Sequence, residues 1–92
     1  FWQASLIGQE LAELGINVNC APCADLLMTE ADPIIGDRSY GEDVNINSYL
    51  SLMTIKGLQS QGVMPIIKHL PGHGRAPADS HKELPIVHAP VE

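Results

Sequence analysis

Two short apolar runs each begin one or two residues after a stretch of helical periodicity, and this spacing restricts the fold more than any other feature. INVNCA, residues 16–21, follows a helical pattern over residues 2–14 with Gly15 between them. VMPIIK, residues 63–68, follows a second pattern that ends near Ser60, with Gln61 and Gly62 between. A glycine just past the last periodic residue marks a left-handed helix cap. Each run then gives way to a long polar segment rich in glycine and proline. The order is therefore helix, strand, loop, helix, strand, loop, which predicts alternating α/β structure with a parallel sheet. Both long segments leave the carboxyl ends of their strands, the edge where barrels and open parallel sheets carry their active sites.

The elements can be read more closely. Leu6, Ile7, Leu11 and Leu14 share one side of the first helix, its expected apolar face. Residues 16–21 alternate from a β-branched start and are closed by Pro22, a strand signature. Asn45 or Asn47 is the expected cap of the second helix. Ile46, Leu50, Met53, Ile55 and Leu58 leave that helix little polar face, so it is expected to be well buried. The continuous run at 63–68 has the pattern of a strand covered on both faces. Loops as long as residues 23–44 are usually functional in a compact domain. A (β/α)8 barrel needs about 250 residues, so this chain could supply only two or three of its βα units. Residues 1–92 show no internal domain boundary, and barrel and open sheet both stay open at this point. The chain opens without Met and inside a helical pattern, which reads as a segment of a longer protein. Were these 92 residues the whole molecule, they could not close a barrel, and their apolar strand faces would be exposed.

Composition narrows the functional classes. The chain is 45% hydrophobic and 17% charged, which suits a globular domain. No apolar run approaches the roughly 18 residues of a membrane helix, and the first residues lack a secretory layout. The net charge of −6 argues against a nucleic-acid groove, which needs a basic stripe. All five basic residues lie from Arg38 onward, and Lys68, Arg75 and Lys82 gather near the histidines. A local basic focus in an acidic chain suits a small anionic or hydroxyl-rich ligand. With no signal layout and no framework of disulfides, the expected location is the bacterial cytoplasm.

Cys20 and Cys23 form C-A-P-C. That spacing fits a thiol redox pair. It equally fits two small apolar fillers at the end of a buried strand, and the polar stretch that follows replaces the helix expected after a redox motif. Residues 68–81, KHLPGHGRAPADSH, concentrate His69, His73 and His81 with Lys68 and Asp79. The histidine spacings are not those of a helical metal pair, and prolines break the segment, so no metal is expected there. Lys68 is either a strand-end charge facing water or a donor to ligand hydroxyls. Asp25, just beyond the first strand, either supports the floor of a site or caps nearby amides. His73, between Gly72 and Gly74, either orients the loop or hydrogen-bonds the backbone of a tight turn.

KHLPGHG followed by DSH resembles the signature loop of bacterial β-N-acetylglucosaminidases, also called β-hexosaminidases, of glycoside hydrolase family 3. IIGDRSYGED resembles that family's sugar-binding loop. The family usually reads KHFPGHG and GDRSF, so Leu70 and Tyr40 replace two phenylalanines here. Where members often read N-F-A-P-V, this chain reads N-C-A-P-C. The resemblance spans nearly all 92 residues. It implies a (β/α)8 barrel in which His81 is the acid/base and Asp79 its dyad partner. It also implies that Lys68, His69 and Arg38 contact the hydroxyls of a bound N-acetylglucosamine.

The chemistry is physically reasonable. Imidazole gives and retakes a proton near neutrality, and a neighbouring carboxylate fixes its tautomer and steadies the imidazolium. Arginine presents a planar fork to two adjacent oxygens. The implied route is retaining, with a nucleophilic aspartate downstream of Glu92 and a further acidic sugar ligand upstream of Phe1. The expected substrate is a muropeptide-like saccharide bearing terminal β-linked N-acetylglucosamine, with no organic cofactor, metal, nucleic acid or membrane partner. The 92 residues alone are not expected to turn over. Two other readings stay open: a non-catalytic sugar-binding barrel relative, and a thiol redox module on Cys20 and Cys23.

Overall fold

The computed structural model describes residues 1–27, 35–70, 72 and 84. Helix α1 spans Trp2–Glu13 and strand β1 spans Val18–Asn19. A 3-10 turn at Gly36–Arg38 precedes helix α2, Val44–Ser60, and strand β2, Met64–Pro65. The two helix-to-strand turns are the same device. At α1, Gly15 N–H donates to the Ala12 carbonyl and Ile16 N–H to that of Leu11; at α2, Gly62 donates to Gln59 and Val63 to Leu58. Such paired bonds need positive φ at the glycine, and Gly15 and Gly62 sit at +79° and +75°. Leu58 and Val63, each 1% exposed, belong to the core beneath the second turn.

The strands pair in parallel, with Val18 opposite Met64 and Asn19 opposite Pro65. Regular strand geometry is shorter than the two apolar runs, but the backbone bonding continues past it. Ile66 N–H donates to Asn19, Lys68 N–H to Pro22, and Ala24 N–H to Lys68. An isolated parallel bridge joins Cys23 to Lys68. Cis-proline follows Ala21, and the Lys68–His69 peptide is also cis. The parallel order expected from the alternation is present, so the segments after both strands leave one edge.

Side-chain packing departs from the apolar patterns. On α1 the buried residues are Ala4, Ser5 and Gly8, whereas Leu6, Ile7 and Leu14 are exposed. Only Leu11 of the expected apolar face packs against the core. The reason is the close approach of α1 to α2. A Cβ at Gly57 would lie 2.5 Å from the Phe1 carbonyl oxygen and 2.6 Å from Ala4 Cβ. Small residues carry that contact because larger ones would hold the helices apart. Gly57→Val is therefore expected to destabilise the full-length protein by about 2–3 kcal/mol through overpacking, read as a lower denaturant midpoint. An unchanged midpoint would show that the helices do not approach this closely.

Helix α2 is capped by Asp43, not by Asn45 or Asn47. The Asp43 carboxylate accepts from the amides of Asn45 at 2.8 Å and Ile46 at 3.0 Å. Nor is α2 well buried throughout: Leu58 and Gly57 are enclosed, but Ile46, Leu50 and Leu52 are exposed. The α1 contact and the sheet cover one side only, so an all-round apolar pattern leaves the rest of the helix uncovered. The second strand likewise shows Met64, Ile66 and Ile67 exposed, not covered on both faces.

Candidate active site at the carboxyl edge of the strands

The bridge between Cys23 and Lys68 sets the site. It aligns the two chain segments in register, so that two residues beyond Cys23 and one residue beyond Lys68, Asp25 and His69 meet. Asp25 is 4% exposed. Its Oδ2 accepts the backbone N–H of His69 at 3.0 Å and lies 2.6 Å from His69 Nδ1. An ionised carboxylate only accepts, so against it Nδ1 carries the shared hydrogen. The imidazole is about a third exposed while the carboxylate is enclosed. A short charge-assisted bond of this kind fixes both tautomer and ring orientation. Asp25 thus ties the His69 amide and ring to the edge of the first strand.

The backbone of Asp25 is held as firmly as its side chain. Its carbonyl accepts from Ser39 Oγ at 2.6 Å and from Asn47 Nδ2 at 3.3 Å. Asn47, also 4% exposed, accepts in turn from Ser51 Oγ. Ser39 belongs to the GDRSY stretch, and Leu27 N–H donates to the Gly41 carbonyl. Tyr40 Oη lies 2.7 Å from Thr54 Oγ1. These bonds tie the arginine-bearing turn to the same strand edge. Arg38 itself lies exposed at the end of the 3-10 turn.

Cys23 is buried under this arrangement, and its thiol donates to Asp25 Oδ2 at 3.5 Å. Burial pushes the thiol pKa above its ordinary value. A backbone hydrogen bond from Asp25 opposes that, the Asp25 carboxylate adds to it, and the charge of Arg38 pulls the other way. Cys20 is exposed, and both cysteines are free thiols. A buried thiol held protonated is the reverse of a redox nucleophile.

Of the expected site residues, the fold brings Lys68, His69 and Asp25 together and places Arg38 on a turn bonded to Asp25. His73, Asp79 and His81 lie outside the described residues. Asn47 and Ser39, which no motif singles out, also hold this strand edge through the Asp25 carbonyl. The legible signal for Asn47 was its pairing with Ser51 one turn on, within a helix whose face is otherwise apolar. A groove of about 330 Å³ beside α2 is lined by Ala24, Leu26, Asn47, Ile55 and Ile67, and is mostly apolar. Its lining includes none of Arg38, Lys68 and His69.

A parallel strand pair fed by two helices, with a carboxylate-held imidazole at its carboxyl edge, is the architecture of a fragment of an α/β barrel. The chain belongs to glycosyl hydrolase family 3: residues 3–92 match its N-terminal domain. It is 44% identical over 84 residues to Beta-hexosaminidase A of Pseudoalteromonas piscicida, covering 91% of this chain and 14% of that protein. The Zn-bound structure of CbsA from Thermotoga neapolitana superposes with a TM-score of 0.90 at 35% identity, over 96% of this chain and 19% of that one. The family 3 β-N-acetylglucosaminidase of Paenibacillus sp. str. FPU-7 matches with a TM-score of 0.85 at 44% identity, over 89% and 16%. The chain thus spans less than a fifth of these relatives.

Proposed function

We propose that the protein carrying these residues hydrolyses terminal β-linked N-acetylglucosamine from saccharides, and that its substrates are muropeptide-like fragments of peptidoglycan turnover. The carrying observation is the fastening of the Lys68–His69 strand end by Asp25, beside the turn that bears Arg38. Rigidly placed donors at a strand edge are what recognition of several sugar hydroxyls requires. Family membership and relatives named as hexosaminidases support the sugar class.

The mechanism that fits is a two-step displacement. An aspartate beyond residue 92 attacks the anomeric carbon while His81, steered by Asp79, protonates the departing oxygen. The aglycone leaves, and the sugar is joined to the aspartate. His81, now neutral, takes a proton from water, whose oxygen displaces the aspartate and frees the sugar. Lys68, His69 and Arg38 hold the hydroxyls through both steps.

The test is hydrolysis by the full-length protein, followed by NMR. Its substrates are N-acetylglucosamine β-1,4-linked to an anhydro-muramic acid unit and the corresponding glucoside. Release of N-acetylglucosamine as the β anomer, with little cleavage of the glucoside, is the expected result. Binding without cleavage would establish the non-catalytic sugar-binding alternative, and an α product would end the two-step route. The thiol redox alternative has the weaker support, because Cys23 is enclosed and its thiol is occupied as a donor.

A further inference from the structure

We propose that Cys23, Asp25 and His69 form a binding site for one thiophilic divalent cation of the zinc or cadmium type. Each residue offers one ligand atom, and the three atoms lie within 4.8 Å of one another. The set is one sulfur, one carboxylate oxygen and one imidazole nitrogen. Such a mixture selects zinc-like ions over magnesium or calcium, which prefer all-oxygen cages.

One separation matches a bound cation, and the other needs the imidazole to shift. Sulfur and oxygen on a tetrahedral zinc stand about 3.5 Å apart, and Cys23 Sγ lies 3.5 Å from Asp25 Oδ2. Nitrogen and oxygen on the same ion stand about 3.3 Å apart, so His69 Nδ1 must withdraw from its 2.6 Å contact. Its side chain is a third exposed and can turn, whereas the carboxylate is enclosed and stays. The Asp25 carbonyl is anchored by Ser39 and Asn47, which keeps the carboxylate aimed while the imidazole moves.

Charge and proton balance also close. A thiolate and a carboxylate neutralise the two positive charges, so the buried site carries no net charge. Binding expels the thiol proton to solvent, because a coordinated thiol is deprotonated outright. The imidazole transfers its hydrogen from Nδ1 to Nε2 and binds the ion through the freed Nδ1 lone pair. Water completes the fourth position on the exposed side of His69.

The sugar reading does not call for this thiol: Cys23 stands where the resembling family often has valine. One corollary rests on that reading. If His69 holds a sugar hydroxyl, cation and N-acetylglucosamine exclude each other; should they bind together, the sugar role of His69 falls and the metal site stands.

Cadmium titration of the full-length protein, with the thiolate-to-cadmium charge-transfer band as readout, tests the site. The expected result is a saturable band that persists in Cys20→Ser and loses the Cys23 contribution in Cys23→Ser. His69→Gln is expected to weaken cadmium binding by about tenfold or more, with circular dichroism confirming that the variant is folded. No band in the wild-type protein, an undiminished band in Cys23→Ser, or wild-type affinity in folded His69→Gln overturns the proposal. If Cys23→Ser does not fold, the Cys20→Ser and His69→Gln titrations decide.

Discussion

His81→Ala is expected to lower kcat for N-acetylglucosaminide hydrolysis by about 10²–10⁴-fold, the usual contribution of a positioned general acid and base. Binding of N-acetylglucosamine should change little, because the proposed function gives the sugar contacts to Lys68, His69 and Arg38. The loss should also depend on the leaving group. An aglycone that departs readily as an anion needs no proton, so a dinitrophenyl glycoside should recover much of its first-step rate in the variant. Comparison with His69→Ala makes the test discriminating. Among the described residues the carboxylate-held imidazole is His69, with Nδ1 2.6 Å from Asp25. Its removal is expected to raise KM more than it lowers kcat. A wild-type kcat in His81→Ala, together with a collapse in His69→Ala, would move the proton-transfer role to the Asp25–His69 pair.

Asp25→Ala is the second large effect expected. The substitution leaves the His69 amide and imidazole and the Cys23 thiol without the acceptor that joins them. A lost charge-assisted bond, with the buried Cys23 thiol and the partly exposed His69 left unmatched, costs about 2–3 kcal/mol. The denaturant midpoint of the full-length protein should fall accordingly. The functional signature is separate from that loss. Freed from its carboxylate, His69 no longer presents a fixed edge to the sugar, so KM should rise by about tenfold or more even at temperatures where the variant is fully folded. Asp25→Asn keeps one carbonyl oxygen for the His69 amide and should be milder in both readouts. If Asp25→Ala keeps the wild-type KM, the carboxylate only ties loops together and does not position His69.

Much of the scaffold was legible because it is local. The two helix stops depend on one glycine each, and Gly15 and Gly62 occupy the left-handed conformations that their positions after the periodic residues imply. Short turns after helices imply parallel strands, and the strands are parallel. The motif residues Lys68 and His69 stand at a strand end as read. The helix faces were less legible. Hydrophobic periodicity pointed to Leu6, Ile7 and Leu14, yet the enclosed face of α1 is Ala4, Ser5 and Gly8. Small residues contribute almost nothing to an apolar pattern, but they decide how near two helices can come. The cap of α2 was misplaced by two to four residues for a related reason. Asp43, Asn45 and Asn47 are all competent caps by type, and only the chain path determines which side chain reaches the free amides.

Element order, the glycine stops and the strand-edge location of the chemistry were thus determined by sequence alone, since each depends on neighbours a few residues apart. The meeting of Asp25 with His69, the enclosure of Cys23 against that pair and the hold of Ser39 and Asn47 on the Asp25 carbonyl were decided by tertiary structure. They follow from the parallel register that sets Cys23 beside Lys68. Pairing between distant segments is fixed by backbone hydrogen bonds and packing, and a one-residue shift would have turned every one of these side chains to the other face.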